Sequence, residues 1–250
     1  MELIIIGSGT CVMQTRRGPS GYILKLSNEI FLLDGGSGTL RNCLEAGISY
    51  RDIDKIFYTH LHPDHTIDLI PFLFATKYTP GCNRTKPLEI YGPVGFANFY
   101  HRLIDLYGSS MIDVEYDIAV RELSESRLSY GDWQLETRLM QHSPNAIGYR
   151  FEADGKALVY SGDTDFGEGI TQLARHADVL LLECSFPDHE KVPGHLTPSE
   201  AGKVAALAEA KKLVLTHFYP SCDEEDLLTP CARHFRGEIV LAEDLMRIQI

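Results

Sequence analysis

The segment Tyr58–Leu69 reads YTHLHPDHTIDL and sets three histidines and an aspartate within six residues, as His60-x-His62-x-Asp64-His65. Ten histidines spread over 250 residues seldom gather this way, and imidazole and carboxylate at this spacing are what a metal site requires. The segment follows the apolar run KIFYT, so it leaves the end of a strand. His60 and His62 are two apart and point the same way along an extended chain, which lets both reach one ion. Pro63 fixes a bend, after which Asp64 and His65 face a second ion near the start of the next helix.

Working outward, strands with branched or aromatic residues recur: Leu3–Ile6, YILKL and IFLLD around Ser27-Asn28-Glu29, LEIYG, QLETRLM, ALVYS, VLLLE and LVLT. IFLLD closes on the turn Asp34-Gly35-Gly36. Helical patterns lie between them at 38–46, 65–77, 95–107, 167–175 and 198–211. The last has the clearest start, with Thr197 as N-cap, Pro198 at the first helical position and Glu200 completing a capping box. Its Val204, Leu207 and Ala208 are expected on one face, packed on a sheet. This alternation predicts an α/β architecture of sheets covered by helices. One domain is expected over 1–250, since the chain shows no linker, repeat or low-complexity segment.

Three more strands end on a candidate ligand: QLETRLMQ at His142, ALVYSG at Asp163 and LVLT at His217. Neighbouring strand ends share one edge of a sheet, so these side chains converge despite their separation in sequence. The seven then divide: His60, His62 and His142 on one metal, Asp64, His65 and His217 on another, and Asp163 between them. Imidazole suits zinc and similar ions, and a carboxylate bridges two cations. His101, His176, His189 and His234 lie in helical or charged surroundings and read as structural or surface residues.

A hydrophobic content of 44% supports a substantial core, and 35 acidic against 23 basic residues leave a net charge of −12. That balance argues against a large nonspecific nucleic-acid surface. Bound cations would reverse the sign locally, so a small phosphate-containing substrate stays compatible. Cys11, Cys43, Cys82, Cys184, Cys222 and Cys231 are dispersed, without a C-x-x-C pair, and read as reduced thiols. The N-terminal apolar run is too short to span a membrane and has no basic start. A cytoplasmic protein with no membrane partner is the expectation.

HLHPDH, His142, SGDT and THF occur in the order seen in the metallo-β-lactamase superfamily, over nearly the whole chain. Within it the chain resembles the ribonuclease Z-like branch, the tRNA 3′-processing endonucleases. QHSPNAIGYR resembles its H-x5-GYR region, and the order LLE, then HLT, then a helix, then THF resembles its glutamate, H-S-T and THF. The resemblance implies a four-layer αβ/βα sandwich, two divalent ions (zinc, with manganese as the other fit) and phosphodiester hydrolysis. It also implies a homodimer, and a Glu183–His195 pair that is catalytic and does not ligate metal. Where that branch inserts a long arm that grips the tRNA elbow, Gly148-Tyr149-Arg150 runs to Ser161 through only FEADGKALVY, a hairpin turning at Asp154-Gly155.

The expected activity is therefore that of a dinuclear phosphodiesterase acting on a small cyclic or short phosphodiester through a metal-bridging hydroxide. Asp64 would orient the attacking water and accept its proton, and His195, held by Glu183, would serve the phosphoryl or leaving oxygen. Structured RNA, as for ribonuclease Z, ranks second. A lactone, thioester or lactam hydrolase using the same metals, and a non-catalytic metal-binding protein, are the competing readings.

Overall fold

The computed structural model describes residues 1–81, 84–112 and 114–250; Cys82 lies outside the described residues. One seven-stranded sheet has the order β14-β1-β2-β3-β4-β5-β6, with β1 (Glu2–Gly7), β2 (Gly21–Leu26), β3 (Glu29–Gly35), β4 (Lys55–Phe57), β5 (Leu88–Pro93), β6 (Ile118–Leu123) and β14 (Arg247–Gln249). The second has the order β13-β12-β11-β10-β9-β8-β7, with β7 (Ser126–Tyr130), β8 (Trp133–Leu139), β9 (Ile147–Ala153), β10 (Lys156–Tyr160), β11 (Val179–Glu183), β12 (Lys212–Thr216) and β13 (Glu238–Leu241). Helices α1 (Thr39–Glu45), α2 (Pro63–Thr66), α3 (Leu69–Tyr78) and α4 (Phe96–Tyr107) connect the strands of the first sheet, and α5 (Glu168–Leu173), α6 (Pro198–Leu207) and α7 (Leu228–Ala232) those of the second.

Strand periodicity explains the layering. Side chains alternate across a pleated strand, and in β1 Leu3 and Ile5 enter the core between the sheets while Ile4 and Ile6 enter the layer under the helices. Phe31 and Leu33 against Leu32 in β3, and Phe57 against Ile56 in β4, divide the same way. Both faces being buried, these strands read as unbroken apolar runs. The result is the four-layer αβ/βα sandwich.

β3 to β6 run parallel, as do β10 to β13. β8 and β10 are each antiparallel to β9, so they point the same way. The carboxyl ends of β4, β8, β10, β11 and β12 therefore open toward one cleft, the usual place for a site in sheets of this kind. Close backbone approach pins that edge. A Cβ on Gly36 would lie 2.3 Å from the Asp64 carbonyl, and one on Gly162 would lie 2.6 Å from Thr59. Gly162 also has φ +58, which glycine adopts without strain.

Three expectations need correction. The helix expected over 65–77 is two helices, α2 and α3, because the Asp68 carboxylate at the junction accepts the backbone N–H groups of Gly38 and Leu40 instead of facing solvent. The helix expected to reach 211 ends at Leu207, where Lys212 opens β12. Leu207 is 61% exposed, and the face that packs inward is Ala201, Val204, Ala205 and Ala208. The capping box of Thr197 and Glu200 forms as expected. Among the described residues Cys11, Cys43, Cys184, Cys222 and Cys231 are free thiols, and no helix is long and apolar enough to cross a membrane.

Candidate metal centre

Strand ends deliver the side chains of the cleft, and the short helix α2 adds Asp64 and His65. Past β4 the chain bends at Thr59 and passes His60 to an extended His62, and Pro63 at the first position of α2 turns it. His60 and His65 are buried, Asp64 is nearly so, and His62 is exposed. His142 follows β8, Asp163 follows β10 and His217 follows β12. His217 has φ 60, a left-handed conformation rare outside glycine and found where surrounding structure imposes it.

The seven residues converge in two groups around Asp163. On one side, His62 Nδ1 lies 3.0 Å from His60 Nε2 and 3.1 Å from His142 Nε2. Asp163 Oδ2 is 3.7 Å from His60 Nε2 and 3.6 Å from His142 Nε2. On the other, His65 Nε2 is 3.3 Å from His217 Nε2, and His217 Nε2 is 3.6 Å from Asp64 Oδ2. Asp163 Oδ1 is 3.3 Å from His65 Nε2 and 3.4 Å from His217 Nε2.

The outer hydrogen bonds fix which nitrogen carries each proton. His65 Nδ1 donates to Asp34 Oδ2 at 2.8 Å. His142 Nδ1 donates to the Gly194 carbonyl at 3.0 Å. Thr59 Oγ1 gives its proton to Asp34 Oδ2 and so accepts from His60 Nδ1 at 3.1 Å. Ser185 Oγ gives its proton to Glu183 Oε2 and so accepts from His217 Nδ1 at 2.9 Å. Four imidazoles thus turn bare Nε2 lone pairs toward Asp163, whose buried Oδ1 has no hydrogen-bond partner. Lone pairs and a carboxylate oxygen face one another at under 4 Å, an arrangement that repels itself unless a cation sits among them. The donor set of imidazole and carboxylate with ordered outer partners fits divalent metal.

The field tells the same story. Burial pushes the Asp163 carboxyl up, but His217, His65 and His60 outweigh it and hold the group well below the usual carboxylate range. Asp64 is lowered likewise against burial, by the neighbouring imidazoles of His217 and His65. Burial lowers His65, yet Asp163 and Asp34 raise it well above the ordinary imidazole value. His60 is lowered well below that value by burial and then by His65, and His142 is lowered by burial. Positive charge is wanted at the centre, and the imidazoles do not all take it up as protons.

Glu183 and His195 stand beside this centre. Glu183 is wholly buried, and its carboxylate accepts from Thr164 N at 2.7 Å, His195 Nδ1 at 3.0 Å, Ser185 Oγ at 2.6 Å and Leu196 N at 3.0 Å. Burial lowers the His195 imidazole, but the Glu183 hydrogen bond and charge raise it overall. Asp163, His195 and His217 also offer ligand atoms within 4.8 Å of one another, so His195 faces the cleft. His101, His189 and His234 are exposed, and His176 sits on the surface beside Glu209.

Two residues that sequence reasoning missed organise the centre. Asp34, expected only to close a turn, is fully buried with φ 54, and receives His65, Thr59 and, at 2.5 Å, the Tyr160 hydroxyl. An ionisable residue ending the apolar run IFLL was the available signal. Ser185, which links Glu183, His195 and His217, left no signal in the sequence.

Residues 31–218 match the family model described as beta-lactamase superfamily domain. Among curated proteins the chain is similar to a ribonuclease Z of Thermobifida fusca, with 30% identity over 305 residues covering 100% of this chain and 94% of the relative. Among solved structures it is similar to the short form of human tRNase Z, with a TM-score of 0.84, 28% identity, and 100% of this chain and 99% of that one covered. It also shares its fold with YhfI, a metallo-β-lactamase fold protein of Bacillus subtilis, with a TM-score of 0.85, 22% identity and 99% of each chain covered.

Proposed function

The chain belongs to the β-lactamase superfamily and, within it, to the ribonuclease Z family, and from that premise we propose that this metal-dependent hydrolase cleaves phosphodiester bonds of RNA near a 3′ end. We assign His60, His62 and His142 to one ion, Asp64, His65 and His217 to a second, and Asp163 to both, with zinc as the ion that the imidazole-rich set suits best. When bound, the two cations supply Lewis acidity and make a water nucleophilic at neutral pH.

The observation that carries the reading is the Glu183–His195 pair, 3.0 Å apart at the edge of the cluster. Acyl hydrolysis requires no imidazole held in this way, whereas a departing ribose 3′ oxygen needs a proton. Glu183 fixes Nδ1 of His195 and raises its affinity for a proton, so the other nitrogen is the donor to the phosphoryl or leaving oxygen. Asp64, nearly buried and held ionised by the neighbouring imidazoles, orients the attacking water and accepts its proton at the carboxylate. That relatives aligned along the whole chain carry the name ribonuclease Z favours RNA as the substrate class.

A second reading, a small cyclic or short phosphodiester, is favoured by one feature. β9 and β10 are joined by the tight turn Asp154-Gly155, both at positive φ, and the alignment with the Thermobifida relative is longer than this chain. A panel of precursor tRNA, bis-aryl phosphate, 2′,3′- and 3′,5′-cyclic nucleotides and a lactone decides. Cleavage of the precursor at its 3′ side, lost in His195→Ala, is expected. Full activity of His195→Ala on the preferred substrate would sink the proton-donor role, and a lactone as preferred substrate would sink phosphodiester chemistry.

A further inference from the structure

The mouth of the cleft carries a pair of aromatic rings that the chemistry above does not use. β11 and β12 are parallel and end together at Glu183 and Thr216, and the residues three past each end, Phe186 and Tyr219, emerge side by side. Their rings stack with centroids 4.4 Å apart and planes at 25°. Both meet His195 edge-on, Phe186 at 5.7 Å and Tyr219 at 6.1 Å, and Tyr219 lies 6.0 Å from His217. The Tyr219 N–H donates to the Ser185 carbonyl at 3.2 Å, and the same carbonyl accepts the Cys222 thiol at 3.3 Å. This ties the two strand ends together beneath the rings.

Neither ring is in the core: both are half-buried, so part of each aromatic surface stays open. Exposed faces of a stacked pair attract another planar group, and a nucleobase is such a group whatever its sequence. The position decides which base. With His195 as the proton donor to the departing 3′ oxygen, the role proposed above, the rings that adjoin it border the space of the nucleotide that carries that oxygen.

We propose that Phe186 and Tyr219 form a base-stacking subsite for the nucleotide whose 3′ oxygen departs. The subsite deepens the phosphodiesterase reading and rests on it. Hydrolysis should then prefer a phosphodiester with a base on the leaving side over the same compound with a bare ribose there.

The test compares kcat/KM for a dinucleotide with adenine on the leaving side and for its analogue abasic at that position. Wild-type protein should favour the base by roughly tenfold or more, the range a single base–aromatic contact supplies. Tyr219→Leu and Phe186→Leu should bring the ratio toward one, and Tyr219→Phe should restore it. A wild-type ratio near one, an unchanged ratio in both leucine variants, or loss of the ratio in Tyr219→Phe overturns the proposal. Should the leucine variants fail to fold, inhibition of wild-type protein decides. Adenosine 3′-monophosphate should compete better than ribose 3-phosphate, and equal inhibition refutes the subsite. If wild-type protein leaves both dinucleotides and bis-aryl phosphate intact, the phosphodiesterase reading itself has failed.

Discussion

The two halves of the proposed metal centre are built differently. In the group of Asp64, His65 and His217, both imidazoles are buried and each is tied by Nδ1 to an anionic system, His65 to Asp34 and His217 through Ser185 to Glu183. In the group of His60, His62 and His142, only His60 is so enclosed. His62 is exposed, and His142 is held by the Gly194 carbonyl on the segment leading to His195. Ligands locked by buried carboxylates are oriented before an ion arrives, while ligands held by a surface segment depend on that segment's order. The second group should therefore bind the tighter ion, and the first the one that exchanges.

Asp163 is the place to break this contrast, since its two oxygens face the two groups separately. Asp163→Ala should lower bound metal from about two equivalents to less than one and cut turnover by at least roughly a thousandfold, because Lewis-acid stabilisation is worth several kcal/mol. Elemental analysis of the gently purified variant reads the first and steady-state hydrolysis the second. Two ions retained at unaltered affinity would mean that Asp163 does not join the halves.

Asp34 sharpens the contrast. Asp34→Asn keeps the shape and tolerates the left-handed backbone, but removes the charge opposite His65. Outer partners of metal-bound histidines are worth about 10–100-fold in affinity or activity. That loss should fall on the tighter ion, read as the second step of release to a competing chelator. Equal weakening of both steps would show that the link from Asp34 through Thr59 to His60 matters as much as the direct bond.

What was legible in the sequence follows the same division. That His60, His62, Asp64, His65, His142, Asp163 and His217 meet in one cleft was readable because strand ends announce themselves through apolar runs and neighbouring strand ends share one edge of a sheet. The residues that orient them were not. Asp34 looked like a turn, and the role of Ser185 depends on β11 and β12 lying side by side, a tertiary fact. The break between α2 and α3 was hidden for the same reason, since the partners of Asp68 are 28 and 30 residues away. β7, with the half-exposed sequence SRLSY, has no apolar stripe, so periodicity passed over it.

The smallest effect concerns the segment that holds His142. Lys191 Nζ reaches Asp165 Oδ1 at 2.6 Å, Glu200 Oε2 at 2.5 Å and the His195 carbonyl at 2.5 Å, while Asp165 Oδ2 accepts Gly194 N–H at 2.8 Å. One ammonium thus joins the Gly194–His195 stretch to the first turn of α6. Partly exposed ion pairs contribute little, so Lys191→Ala should lower turnover by about fivefold at most. The ion of the first group should leave faster and that of the second should not, as followed by chelator-driven release. The sign with pH is fixed by the partners. Against burial, Lys191 and the Gly194 N–H hold the Asp165 carboxyl below its ordinary value, while Asp165 and Glu200 hold the Lys191 ammonium above its own. The depressed carboxyl stabilises above its unfolded value and loses that contribution as pH falls through its folded one; the raised ammonium stabilises below its unfolded value and loses that as pH rises through its folded one. The clamp therefore spans neutral pH and opens in acid, where the carboxyl takes a proton, and in base, where the ammonium loses one. Proteolysis of the 188–197 segment should rise on acidification in wild-type protein, and be raised already at neutral pH in Lys191→Ala. Equal release of both ions from that variant would show that His142 does not depend on the clamp, and the contrast between the halves would then rest on His62 alone.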